Sequence, residues 1–214
     1  MQEGWREALE RTPTWLLVAQ EAFFLVLGWG GSWLRDPGSP VGSWRNGASW
    51  AAAGAGAGAG LLLGLLDLEL SRRFPRYNDT VTPLLFRRFR AAGALAFTGF
   101  VALAEETLFR GWLQPALGAA AATLLFTLVH VQYLRRPPAL LALLVYGGAL
   151  AWLRAWSGGL LAPWLAHWGL DAVQALAVVY DRYPGLPPRE GGRGGAGGGP
   201  GDAGPGGVAP PTPR

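Results

Sequence analysis

Glu105, Glu106 and Arg110, then His130, then His167 and Asp171 are ionisable residues embedded in otherwise apolar sequence. Such groups cost roughly 2.5 to 3.5 kcal/mol each at the centre of a membrane helix, so they persist where they are used. On a helix, residues four apart share a face: Glu106 and Arg110 can pair, while Glu105, about 100° further round, points elsewhere. Arg110 then neutralises one carboxylate and leaves the other free. Burial disfavours a carboxylate's charged form, which suits Glu105 to general-base work on water. The competing reading is a buried ion network that only fixes helix packing.

Phe126 and His130 repeat the four-residue spacing, as do His167 and Asp171. In the second pair the carboxylate can accept a hydrogen bond from one imidazole nitrogen and so determine which nitrogen is left for a metal or a water. A histidine in a membrane helix can equally serve as an interhelical hydrogen bond.

The elements that must carry these residues follow from composition. Half the residues are hydrophobic and 15% are charged, and the apolar residues fall in blocks of about 20, enough to span about 30 Å of hydrocarbon. The expectation is an all-α, polytopic transmembrane bundle of about six spans, near residues 15–34, 48–68, 91–114, 118–134, 138–156 and 160–180, enclosing a polar intramembrane cavity. The first stretch reads as a span rather than a leader, because Glu3, Glu7 and Glu10 interrupt any basic start. Residues 1–184 form the membrane domain, with the chemistry in 91–180. From Gly185 to Arg214 the chain is Gly- and Pro-rich and reads as a disordered tail. At about 1.5 Å per residue, Glu105, His130 and His167 lie about 14, 18 and 10 Å below the outer helix ends, so they can meet near mid-membrane.

All 18 basic residues are arginine, and no cysteine is present to form a disulfide, a thiolate nucleophile or a Cys-ligated zinc site. With the N-terminus inside, the inner segments hold Arg72, Arg73, Arg87, Arg88, Arg90, Arg135 and Arg136 among others, and the outer ends only Arg35, Arg45 and Arg154. That places both termini in the cytoplasm, in a bacterial inner membrane if the GC-rich composition reflects the source. Trp33, Trp44, Trp50, Trp112, Trp156 and Trp164 fall at the outer ends, where indoles favour the interface. Residues 69–90 read either as a basic amphipathic stretch on the inner leaflet or as a solvated loop. The Ala/Gly alternation of Ala51–Gly60 reads as close helix packing.

Glu105-Glu106-x-x-x-Arg110, Phe126-x-x-x-His130 and His167-x-x-x-Asp171, in that order on three successive spans, resemble the motif series of the CPBP family of intramembrane proteases, which includes the Ras-converting type of CAAX prenyl endopeptidase and the bacterial Abi proteins. The resemblance covers about residues 91–180. It implies peptide-bond hydrolysis in a membrane cavity, with Glu105 and His130 activating water, His167 and the residue at 171 stabilising the oxyanion, and Glu106, Arg110 and Phe126 in support. The family's commoner residue at the last position is Asn. An ionised Asp171 would repel an oxyanion, so it is protonated, orients His167, or serves in a metal's shell. Glu105, His130 and His167 would match the two-His-one-carboxylate set of a catalytic zinc, although H-E-x-x-H is absent. Direct activation of water without a metal is equally compatible.

The function expected is an intramembrane endopeptidase acting on a membrane-associated peptide or protein, with the lipid bilayer as its other partner and no nucleic acid. The alternatives are a non-catalytic immunity or chaperone-like membrane partner, and a proton or ion relay, the latter disfavoured by the lack of an inverted repeat.

Overall fold

The computed structural model describes residues 11–75, 77 and 82–186. The tail expected from Gly185 lies outside these residues from 187 on, as do Glu3, Glu7 and Glu10. Among the described residues every regular element is helical. The helices are α1 (Thr14–Arg35), a short α2 (Ser39–Arg45), α3 (Trp50–Arg73), α4 (Ala91–Leu117), α5 (Ala119–Val129), α6 (Pro137–Ser157) and α7 (Leu161–Val179).

Four of them, α1, α3, α4 and α6, are long and apolar enough to cross a membrane. Large apolar side chains point outward, including Val26, Leu62, Leu65, Leu141 and Val145. An outer surface of this kind belongs in hydrocarbon, and the chain is an integral membrane protein. Helix ends coincide with local stop and start signals. Ser49 caps α3 by accepting from the Ala52 backbone N–H, α6 begins on Pro137, and its C-terminal neighbour Gly158 takes a left-handed φ of 72°.

The alternating Ala/Gly run has the packing role expected of it, with a finer division of labour. Gly56, Gly60 and Gly64, spaced four apart on α3, face α7 so closely that a Cβ on Gly60 would stand 2.6 Å from the Ala166 carbonyl oxygen. Gly54 and Gly58 face open space. The same buried stripe runs on through Asp67 and Ser71, which carries a carboxylate to the inner end of the α3–α7 seam.

On α4 the backbone widens into a π-helical stretch, Thr107–Leu113, and the Gln114 N–H reaches back to Phe109 O. Arg110 lies in this stretch and donates to Gly147 O on α6 at 3.1 Å, while Gln114 donates to Ala151 O at 3.0 Å. Four residues along α4 correspond to four along α6 in the same direction, so the two helices run parallel.

The apolar sequence continues to Val131, and a span over 118–134 is the natural reading, but α5 has only 11 residues. At about 1.5 Å per residue that covers about half the hydrocarbon. The helix ends at His130 (φ −82°, ψ 61°), whose ring turns back so that Nδ1–H also bonds the Phe126 carbonyl oxygen, at 2.7 Å. A short 3₁₀ turn, Val131–Tyr133, follows. Irregular backbone at this depth is tolerated where it lines a cavity, and His130, Gln132 and Tyr133 do so. Between α3 and α4, a 3₁₀ helix (Thr82–Arg88) turns Leu85 and Phe86 inward onto the same cavity. Leu85 and Phe86 of this segment are thus part of the cavity wall. Two of the tryptophans also turn inward: Trp112 covers Gly31, and Trp164 donates Nε1 to Gly99 O at 3.1 Å. Trp33, Trp50 and Trp156 remain exposed.

Candidate active site

A cavity of about 320 Å³ lies between the helices, and Glu105, His130, His167 and Asp171 all line it. Glu105 comes from the middle of α4, His130 from the broken end of α5, and His167 and Asp171 from α7. The three motifs therefore meet at one cavity.

Glu106 and Arg110 stand behind the wall, 0% and 1% exposed, with Arg110 Nη1 donating to Glu106 Oε1 at 3.0 Å. The adjacent glutamates thus divide as their helical angle requires: Glu105 reaches the cavity and Glu106 does not. Glu105 keeps one carboxylate oxygen, Oε2, buried without a hydrogen-bond partner.

His167 donates Nδ1–H to Glu106 Oε1 at 2.9 Å. The acid that orients it is therefore Glu106, on a neighbouring helix, and not Asp171 four residues along its own. Asp171 Oδ2 lies 3.6 Å from the other ring nitrogen, Nε2, and Glu105 Oε2 lies 3.7 Å from it. A line of contacts runs from Gly147 O through Arg110 and Glu106 to His167, so three helices hold one imidazole in place.

His130 is oriented by its own helix. A carbonyl oxygen only accepts, so the bond to Phe126 O puts the proton on Nδ1 and leaves a lone pair on Nε2. Phe126 has a second role, as spacer. Its ring lies 4.3 Å from the Arg110 guanidinium carbon, and its centroid is 4.8 Å from that of His130 and 5.9 Å from that of His167. The aromatic ring thus contacts the buried cation and both imidazoles.

Among the described residues no three His, Asp or Glu side chains converge in ligating geometry. Glu105, His130 and His167 share a cavity, yet in this arrangement they do not form one coordination shell.

Sequence reasoning did not single out Glu21, Asp67, Tyr77 and Tyr146, all of which line the cavity. Asp67 Oδ1 accepts from Tyr77 Oη and, at 3.3 Å, from Tyr146 Oη, and the two hydroxyls are 3.2 Å apart. Each of these residues stands alone in its segment. The signal that was available was an acid inside an apolar run, Glu21 in α1 and Asp67 in α3.

A helical membrane bundle whose helices surround a polar cavity of carboxylates and histidines defines the class: a polytopic membrane protein with a buried polar site. Residues 87–173 match the model of the family described as Type II CAAX prenyl endopeptidase Rce1-like, and all three motifs lie within the matched segment. The chain is also 30% identical over 120 residues to the Uncharacterized protein YpbD of Bacillus subtilis (strain 168), a match covering 55% of this chain and 64% of that relative's length. No solved structure matches it.

Proposed function

We propose that the chain is an intramembrane endopeptidase that hydrolyses a peptide bond in a membrane-associated peptide or protein, with Glu105 and His130 acting on the water. The observation that carries this reading is the unpartnered carboxylate oxygen of Glu105, buried in a cavity that His130 and His167 also line. A buried carboxylate oxygen that receives no hydrogen bond is costly for packing alone and useful as a base.

In this reading a water sits between Glu105 and Nε2 of His130. Glu105 takes one proton as the water oxygen bonds to the substrate carbonyl carbon, and His130 accepts a hydrogen bond from the other. In its imidazolium form His167, held through Nδ1–H by Glu106, donates Nε2–H to the oxyanion. Glu105 then returns its proton to the departing nitrogen as the C–N bond breaks. These steps are carried by the chain's own side chains.

The test uses the purified full chain in liposomes with a library of amphipathic peptides, read by mass spectrometry. The expected result is internal cleavage that drops by a factor of about 100 or more in Glu105→Gln while the melting temperature holds. Cleavage that survives this substitution would overturn the reading. A chain that cleaves nothing but is destabilised by it would favour the second reading, a non-catalytic membrane partner. The specific support for that alternative is the Gly147–Arg110–Glu106–His167 line, which ties α4, α6 and α7 together whatever the chemistry.

A further inference from the structure

Helix α1 lies outside residues 87–173, the segment that matches the family, yet it supplies a carboxylate to the cavity. Glu21 is 6% exposed and lines the cavity wall beside the apolar Leu17 and Phe24. Its Oε1 accepts from Gln20 Nε2 at 3.3 Å, while Oε2 is buried with no hydrogen-bond partner. Glu105, His167 and Asp171 line the same cavity. Asp67, the other acid that the motifs leave unexplained, differs in having two tyrosine hydroxyls to satisfy it. Arg110 is committed to Glu106 and Gly147 O. Among the described residues, no arginine lines the cavity in a chain whose 18 basic residues are all arginine.

A carboxylate kept unpaired in a wall that is apolar on one side and acidic on the other is a complement to a cation. We propose that Glu21 forms a subsite for a lysine or arginine side chain of the substrate, placed close to the scissile bond. The donors of an ammonium or guanidinium would fill the vacant Oε2, and the carboxylates across the cavity would strengthen the attraction. The substrate would then be a membrane-associated segment with a basic residue near the cut. This inference rests on the peptidase reading for its placement.

The test uses N-acetylated peptides that differ only by lysine or norleucine at one position, which keeps the stem and removes the charge. Binding to the full-length Glu105→Gln chain in detergent is read by fluorescence anisotropy, and hydrolysis by the unsubstituted chain is read in parallel. At one position the lysine peptide is expected to bind about tenfold more tightly or better than its norleucine counterpart. Adding Glu21→Gln should collapse that ratio to about one, and Glu21→Arg should transfer the preference to a glutamate peptide. A ratio of one at every position before Glu21 is touched overturns the proposal, even if the Glu21 variants do not fold. So does a loss in Glu21→Gln that is equal for both peptides, since a proton donor or packing residue would give that result. If the lysine preference depends on Glu21 and no peptide is ever cut, the peptidase reading fails and the cation subsite stands.

Discussion

His167 and Glu106 meet across a helix interface, Nδ1 to Oε1 at 2.9 Å, and the same oxygen accepts from Arg110 at 3.0 Å. One carboxylate oxygen thus serves a cavity-lining imidazole and a buried guanidinium together. Glu106→Gln keeps an oxygen in place but removes the charge, leaving Arg110 buried and poorly compensated. Losing one partner of such a pair costs about 3 to 5 kcal/mol. Thermal unfolding in detergent should show the loss, and a variant as stable as the parent would mean that Arg110 is compensated elsewhere.

Asp171 bears on the other edge of the same ring, 3.6 Å from Nε2. A carboxylate there competes with a developing oxyanion for that edge. Asp171→Asn, which restores the family's commoner residue, is expected to leave kcat within about tenfold of the parent, shifted upward. A loss of about 100-fold would instead make Asp171 a participant in proton transfer.

His130 combines a structural and a chemical task, and the two can be separated. Asparagine places an N–H near the position of Nδ1 and can keep the bond to Phe126 O, but it has nothing equivalent to the Nε2 lone pair. His130→Asn should therefore fold as the parent does and lose about 100-fold in hydrolysis, whereas His130→Leu should lose stability as well. Circular dichroism melts beside the peptide assay would check this, and an active Asn variant would remove His130 from the chemistry.

The glycines of α3 allow a paired test. Gly58 has open space around it, so Gly58→Ala should gain up to about 1 kcal/mol of helix propensity. Gly60→Ala puts its Cβ 2.6 Å from Ala166 O, next to His167, and should cost about 1 to 3 kcal/mol as α7 is displaced. Equal effects at the two positions would contradict the α3–α7 contact.

The parallel run of α4 and α6 places Arg90 and Arg136, at their N-terminal ends, on one side of the membrane. The arginine asymmetry predicts that this side faces the cytoplasm. Reporter fusions after Arg90 and after Arg136 should both report cytoplasm. Opposite answers would contradict the parallel helices, and two external answers the orientation.

The sequence by itself determined the helical membrane class, the positions of the apolar elements apart from the early end of α5, and the division of labour between Glu105 and Glu106. Each of these follows from spacing along one helix, where the rise and the 100° step are constants of the backbone. The Glu106–Arg110 pair was legible for the same reason. Only the tertiary structure decided what crosses between helices: that Glu106 rather than Asp171 holds His167, that α5 ends at His130, and that Glu21 and Asp67 reach the motif cavity from α1 and α3. An i to i+4 neighbour is visible in a sequence, but a partner 61 residues away is selected by helix rotation and packing depth. The α3 glycines, which let α7 approach closely, are one visible element of that packing.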